Sequence, residues 1–544
     1  ATTLIVGRGP IGAAAIRCAY VGTNATLAGF TLTNGFTQAS GSAVTNRSGG
    51  GVWCESNGVV DACVIVGCAA SYYGGGAYGG TLRACIVSSN TAYDGGGAAY
   101  GTLQNATISG NSASDNGGGA YASILSRCTI SGNFAGSMGG GACYGMLDNS
   151  AVFGNACGMT AGGAIYTTNR HCTVVNNRSS LQAGGVFGGL SQNTAIYYNT
   201  ARFSPNWAGG SYTNSCTTPL PGGARNMTNA PGFLALDNPH IVSNSPCVNA
   251  GSNLLSVGAA DIDGEARTNG PAVDIGCDEF TSGGIAGLLT VAIAADLTNG
   301  CVGAAMPFRS VITGKANGYV WAWGDGLKST NAPIVSHAYA VTNEYAIVLT
   351  ASNNDMTTAA TLAVHIVSGY TNYVSLAGVP LPPYTSWATA ASNIQDAVDA
   401  NVYVGGVVLV DDGVYDLGGR AQYGITNRVV IDRPLTVMAA NPTPGATTIR
   451  GQGPAGSAAI RCVYVGSGAA LAGFTLTNGY TKTSGDTYKE RSGGGAWCEP
   501  DGVVSSCVLV GNSASYEGGG AYGGLIRNCL VMRNSSWNAG GISR

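Results

Sequence analysis

Hydrophobic and polar positions along this chain alternate in short runs. Between residues 49 and 200, stretches such as VVDACVIVG, TLRACIVSSN, TLQNATISGN and ILSRCTISGN are separated by glycine-rich segments. Short apolar runs bounded by Gly and Asn predict strands joined by turns. Glycine triplets stand at 49–51, 74–76, 95–97, 117–119 and 139–141, with pairs at 162–163 and 184–185. That is a period of about 22 residues, the mark of a repeat architecture. Aligning the periods gives columns. One holds Cys63, Cys85, Ala106, Cys128, Ser150, Cys172 and Thr194, and two residues on stand Ile65, Val87, Ile108, Ile130, Val152, Val174 and Ile196. Positions two apart share a strand face, so both columns are expected to point inward. Five residues after the first column come Asn90, Asn111, Asn133, Asn155, Asn177 and Asn199, with Cys68 in the first coil. Asparagine tolerates left-handed backbone and bonds its neighbours through its amide. A column of asparagines therefore predicts a hydrogen-bonded ladder along the stacking axis.

One such period cannot bury its apolar face alone; stacked copies can. With three strand-like pieces per period, the coils predict a right-handed parallel β-helix at the ordinary strand spacing of roughly 4.8 Å. The leucine-rich pattern L-x-x-L-x-L-x-x-N is absent. A longer repeat lies above the first. AAIRCAYVGTNATLAGFTLTNGFT at 14–37 returns as AAIRCVYVGSGAALAGFTLTNGYT at 458–481, an offset of 444 residues. At that offset Asn512 and Asn534 fall in the ladder column and Cys507 and Cys529 in the small-residue column. The chain thus reads as one long unit and the start of a tandem copy, and both termini read as cut from something longer.

Between the copies the pattern changes. Residues 233–280 carry Ser245-Pro246-Cys247, Asn249-Ala250-Gly251, Asp261-x-Asp263-Gly264, Arg267 and Asp274-Ile275-Gly276. This segment resembles the closing part of bacterial right-handed β-helix repeat proteins of the choice-of-anchor type. The glycine-triplet coils resemble polymorphic-outer-membrane-protein repeats. Residues 284–368 show alternating strands around Trp321-Ala322-Trp323-Gly324-Asp325-Gly326, His337, Tyr339 and Tyr345. They resemble a PKD domain, which implies an immunoglobulin-like β-sandwich used as a spacer or binding unit. Its usual Trp-x-Phe-Gly-Asp-Gly motif carries Trp323 in place of Phe. Ala391, Ile394, Ala397 and Val398 share one face at helical spacing, with Ser392 as candidate N-cap, and predict a short helix covering an open solenoid end. The expected class is all-β, with coils at 1–232, a closing segment at 233–281, a PKD-like sandwich at 282–368, and a capping helix with second β-helix at 369–544.

Charged residues make up only 9 % of the chain, against about 25 % in a typical soluble domain. The apolar fraction is 45 %, so burial rather than disorder is expected. The surface must be built from Ser, Thr, Asn and Gly, which suits an extracellular or cell-surface β-protein. With a net charge of −3 and no basic run, nothing points to nucleic acid. No long unbroken apolar stretch predicts a membrane span.

The candidate chemistry is sparse. Glycoside hydrolysis needs two placed carboxylates, and the coils offer only Glu55, Asp61, Asp94, Asp115 and Asp148. Asp94 and Asp115 flank successive glycine triplets and form the one candidate pair. Asp61 with Arg83, and Asp148 with Arg170, read as ion pairs between neighbouring coils. The four histidines (His171, His240, His337, His365) read as structural, His171 sitting beside the inward column. The cluster Asp261, Asp263, Glu265, Asp274, Asp278 and Glu279 is the densest acidic group. Asp261, Asp263, Glu265 and Asp274 are candidate calcium ligands, and Asp325 is a weaker one; the competing reading is a closing turn held by Asp–Arg267 pairing and backbone capping. The seventeen cysteines contain no Cys-x-x-Cys, against zinc. Cys63 with Cys85, Cys507 with Cys529, and Cys247 with Cys277 are candidate disulfides, and a ladder of small buried thiols explains the coil column equally well. Taken together, these features predict a structural or adhesive surface protein without a cofactor (calcium aside), whose partners are tandem copies of itself and surface glycans. The alternative is a polysaccharide-acting or carbohydrate-binding secreted protein.

Overall fold

The computed structural model describes residues 3–41, 43–255, 258–283 and 285–543. Strands dominate; the α-helices among the described residues are Val44–Arg47 and Ile394–Ala400. No described helix is long and apolar enough to cross a membrane.

From Leu4 to Thr217 the chain passes repeatedly through parallel sheets of ten, fifteen and five strands. Each pass pairs with the next in constant register, because the same residue types recur one period later. In the ten-stranded sheet Ile65, Val87 and Ile108 stand opposite one another, as do Ile130 and Val152. In the fifteen-stranded sheet Val60, Leu82, Leu103, Leu125 and Leu147 form a matching column. These columns meet inside the coils with Cys63, Cys85, Ala106, Cys128 and Cys172, all essentially inaccessible to solvent. Each buried Ile, Val or Leu contributes about 1.5–3 kcal/mol. The stacked parallel sheets are compatible with a β-helix-like solenoid.

The glycine triplets sit where a turn and a close approach coincide. Gly95 has φ +66°, and a Cβ on Gly96 would lie 2.4 Å from the carbonyl oxygen of Ser112 on the next coil. The asparagine column runs beside them. Asn90, Asn111, Asn133, Asn155 and Asn177 each donate Nδ2–H to Oδ1 of the next asparagine at 2.9–3.0 Å. Each also donates to a carbonyl of the preceding coil, from Ile65 to Val152, at 2.9 Å. Asn199 ends the run on Asn206, and the Cys68 N–H donates to Asn90 Oδ1 at its start.

None of the candidate disulfides is formed in this structure, where the cysteines stand as free thiols. In-register parallel strands bring Cα atoms within bridging distance but point their Cβ atoms the same way. Accordingly Cys85 Sγ donates to Arg83 O at 3.2 Å, and Cys529 Sγ accepts from the Cys507 N–H at 3.4 Å. Cys247 neighbours Cys216 rather than Cys277, whose N–H bonds Thr173 Oγ1 at 3.1 Å.

Residues 233–280 lie along the flank of the last coils. There the outward positions Thr173 and Val175 are buried, whereas their counterpart Thr107 is exposed. Phe233, Ile241, Cys247 and Ile275 pack on Val175, Ala195 and Cys216. The hairpin Phe233–Ala235/Asn238–Ile241 also joins the next module, since Tyr319 donates its hydroxyl to Phe233 O at 2.7 Å and Ser310 to Leu234 O at 2.8 Å. That module, Thr290–Val367, has two largely antiparallel sheets around Phe308, Trp321, Trp323, Tyr339 and Ile347.

The second stack begins at Thr371–Val374. Helix Ile394–Ala400 packs Ile394, Ala397 and Val398 into its core with Val374, Val408, Val429 and Ile431. The Val430 N–H donates to Gln395 Oε1 at 2.7 Å, so the helix also satisfies a strand. The cap is Asn393 rather than Ser392: Asn393 Oδ1 accepts the Asp396 N–H at 3.0 Å. From Ile460 onward the coils repeat the first stack, with Asn512 donating to Asn534 Oδ1 at 3.0 Å.

Candidate functional site

Three places gather chemically capable side chains, and the first is the acidic segment. The four expected calcium ligands do not converge. Asp261 Oδ1 accepts the N–H groups of Asp263 and Glu265 at 3.0 and 2.8 Å, and its Oδ2 accepts that of Glu279 at 3.0 Å. Asp274 accepts from the N–H groups of Asn249 and Phe280 at 2.6 and 2.7 Å, and burial raises its pKa to about 7. Asp263 and Glu265 reach outward to Lys315 Nζ at 2.9 and 2.6 Å. The group that does converge among the described residues is His240, Asp263 and Asp278. His240 Nε2 lies 2.8 Å from Asp263 Oδ2, and Asp278 accepts the Ile241 N–H at 3.0 Å. Burial disfavours charge on His240, but Asp278 and Asp263 outweigh it and raise its pKa. The Lys315 ammonium therefore stands among these carboxylates as their counter-charge, and the cluster bolts the flanking segment to the two-sheet module.

Arg267 does not pair chiefly with aspartates. Its guanidinium donates to the carbonyls of Cys277, Asp274 and Gly276 at 3.0, 3.0 and 2.6 Å, while Glu279 stands 4.0 Å away. It also lies 2.6 Å from Nδ1 of buried His171, whose Nε2 faces Asn193 Nδ2 at 3.0 Å. Burial, reinforced by Arg267, drives the His171 pKa down to about 3, so this histidine is neutral at ordinary pH.

On the coils, Asp148 and Arg170 form a two-pronged pair at 2.7 Å, but Asp61 and Arg83, though in register, do not pair. Asp94 Oδ1 accepts both the N–H and the Nδ2–H of Asn116, at 2.9 and 3.1 Å. Burial raises the Asp94 pKa, and the nearby charge of Asp115 adds to this. In the two-sheet module, Asp325 accepts the Leu327 N–H at 3.0 Å and lies 2.7 Å from His337 Nε2. His365 pairs with Glu344.

The third place was not anticipated from the sequence. One edge of the first stack carries an aromatic ring on nearly every coil: Trp53, Tyr78, Tyr100, Tyr121, Tyr144, Tyr166 and Phe187. From Tyr78 onward their centroids follow at 5.5–5.7 Å. Where the strand position shrinks to Ala99, Cys143 or Ile165, the following left-handed turn residue, Tyr100, Tyr144 or Tyr166, supplies the ring instead. The second stack repeats this edge as Tyr464, Trp497 and Tyr522, joined by Tyr423 and Tyr488 in a cluster separate from that stack's core.

Against this repeated edge lies a corner of the first stack, leaving a cleft of about 660 Å³. Arg202 stands 3.8 Å over the Tyr522 ring, Arg178 donates to the Tyr423 hydroxyl at 3.1 Å, and Lys489 donates to Ser180 Oγ at 2.7 Å. Glu499 accepts from the hydroxyls of Tyr423 and Tyr464 at 2.8 and 2.9 Å. A cleft of this size at a junction of units, with aromatic walls and a few convergent polar groups, has the character of a ligand site. Comparison with protein-family models and with curated proteins returned no match.

Proposed function

We propose that the chain is a structural or adhesive segment of an extracellular repeat protein, a surface stalk or fibre. In this reading the stacked coils are right-handed parallel β-helices. Residues 282–368 are a PKD-like immunoglobulin-type spacer, and residues 233–281 are the closing segment of each unit. The observation that carries it is the return, 444 residues on, of the same coils with the same asparagine ladder and the same aromatic edge. Repeated coils with a sparsely charged surface suit a rigid spacer more than a folded catalyst. Electron microscopy of the native material tests this. Long particles with an axial repeat set by one unit are expected, and compact particles of one or two stacks would refute it.

A second reading, a polysaccharide-acting enzyme, draws on Asp94 and Asp115. The burial-raised carboxyl of Asp94 shifts in the direction a general acid needs. Against it, the two N–H groups of Asn116 that Asp94 accepts favour its ionised form. Depolymerisation of pectin or another uronan, with and without calcium, would establish the enzyme reading.

A further inference from the structure

We infer that Cys18 and Cys68 form a redox-active thiol pair, which a small-molecule disulfide oxidises to a bridge across the first coil. Along the ladder column, Cys68 stands where Asn90 to Asn199 and then Asn512 and Asn534 carry amides. The tandem copy shows what that exchange does. Cys462 and Asn512 lie 444 positions on from Cys18 and Cys68. There Cys462 Sγ stands 3.5 Å from Asn512 Oδ1, and Asn512 Nδ2 donates to Leu476 O at 2.9 Å. In the first stack the equivalent carbonyl, Leu32 O, receives the Cys68 thiol at 3.8 Å. Sulfur in place of the amide gives up a strong rung and sets a second thiol against the first.

The two thiols arrive from different walls of the coil. Cys18 leads into strand Ala19–Val21 of the fifteen-stranded sheet, and Cys68 follows strand Val64–Val66 of the ten-stranded sheet. Two glycines lie against both. Gly51 O accepts the Ala19 N–H at 3.0 Å, and a Cβ on Gly51 would stand 3.2 Å from Cys68 Sγ. A Cβ on Gly35 would stand 2.6 Å from Cys18 Sγ, and Gly35 O accepts the Ala69 N–H at 2.8 Å. The side chains therefore converge, and their sulfurs hydrogen-bond one another. Cysteines in register on neighbouring parallel strands instead point their Cβ atoms the same way. The pair is also unequal, as exchange requires. Cys18 is partly exposed and Cys68 is buried. The bond from Cys68 lowers the Cys18 pKa against the effect of burial, while the same bond and burial raise that of Cys68. The thiolate is the nucleophile. Cys18 attacks the external disulfide, forms a mixed disulfide with one half of it and releases the other half as a thiolate. Cys68 then gives up its proton and attacks Cys18 Sγ, so the bridge forms and the second half leaves as a thiol with that proton. Two protein thiols are oxidised and one external disulfide is reduced.

The test is treatment of the full chain with glutathione disulfide, then blocking of the remaining thiols and peptide mapping by mass spectrometry. Before treatment all seventeen thiols should react in denaturant. Afterwards a peptide pair linked through Cys18 and Cys68 is expected, with the thiol count lower by two. Cys68→Ser should instead leave Cys18 holding glutathione. Closing the bridge should slow hydrogen exchange in peptides covering 14–37 by about tenfold or more, because it constrains the opened coil. The unaltered chain carries the test by itself, so it does not depend on how well the variant folds. No loss of thiols, a bridge formed elsewhere in its place, glutathione retained on Cys18 of the unaltered chain, or exchange in 14–37 unmoved by the bridge would each overturn the inference. The length of the particles bears on the adhesive reading alone, so the two stand or fall separately.

Discussion

Replacing Asn133 by alanine removes one rung from the centre of the ladder. Its side chain, 1 % exposed, makes four hydrogen bonds. Nδ2 donates to Ile108 O and to Asn155 Oδ1, and Oδ1 accepts from the N–H and Nδ2 of Asn111, all at 2.9 Å. Asn133→Ala leaves the buried Asn111 N–H without that acceptor, at a cost of about 1–3 kcal/mol, and the other three bonds add about 0.5–1.5 kcal/mol each. We expect a total of about 3–5 kcal/mol once partial relaxation of the coil is allowed. In a stack coupled between nearest neighbours the effect should stay local, so global unfolding is the wrong assay for so long a chain. Hydrogen exchange followed by mass spectrometry reads the local opening energy instead. Peptides covering the coils from Thr102 to Phe153 should exchange about a hundredfold faster or more, since each 1.36 kcal/mol is a factor of ten. Asn133→Asp keeps the shape but sets a carboxylate oxygen against Ile108 O and Asn155 Oδ1, so it should be worse at pH 7 and partly relieved at low pH, where the group is protonated. An alanine variant whose coils speed up less than about tenfold would refute the view that the ladder couples the coils.

Other consequences follow from the flanking segment and the thiols. His171 has a folded-state pKa of about 3, below its unfolded value of 6.5, so the folded state resists the proton. Its contribution is complete above about pH 6.5 and is lost by up to ~1.4 kcal/mol per pH unit as pH falls toward 3. Exchange in peptides covering 246–280 should accelerate over that window, and His171→Gln should flatten the dependence; an equal slope in both would refute it. Lys315→Met removes the bonds to Asp263 and Glu265 on partly exposed groups and should cost about 1–2 kcal/mol. That loss should appear as faster exchange at both 238–241 and 306–313, and unchanged protection there would show that Lys315 is no bolt. All seventeen thiols should titrate in denaturant without reductant. In the native protein Cys128 and Cys172 should react slowly, because burial pushes both up to about 12. A shortfall of two thiols would reveal a disulfide.

The sequence made the coils legible because their columns keep a constant spacing, and a constant spacing is what in-register stacking requires. The ladder asparagines were visible for the same reason. The aromatic edge escaped notice because it has no single column: Tyr78 and Tyr121 occupy the strand position, Tyr100 and Tyr144 the turn position after it. The rule that would have found it is one ring per coil at either of two adjacent sites. The cap was misplaced by one residue because Ser392 and Asn393 are both good capping types, and backbone geometry alone chooses between them. The four carboxylates do not come together because closeness in sequence is not convergence in space; Asp261 spends its oxygens on the amides of its own segment. The cleft was out of reach because Arg178 and Tyr423 lie 245 residues apart, and Ser180 and Lys489 309 apart.

The few charges are not spread evenly, and their distribution bears on function. Within the coils, backbone pairing and the asparagine ladder satisfy most polar groups without ions, the Asp148–Arg170 pair apart, so repetition there needs little charge. Charged groups collect where surfaces that do not repeat must meet. Lys315 with Asp263 and Glu265 joins the flanking segment to the two-sheet module. Arg420 with Asp399 ties the cap helix to a neighbouring strand. Arg178, Arg202 and Lys489 bridge the two stacks through aromatic rings and hydroxyls. Charge therefore sets how the units are arranged rather than whether a coil forms. The first two junctions are closed by direct ion pairs, while at the third Arg178 is linked to Glu499 through the Tyr423 hydroxyl.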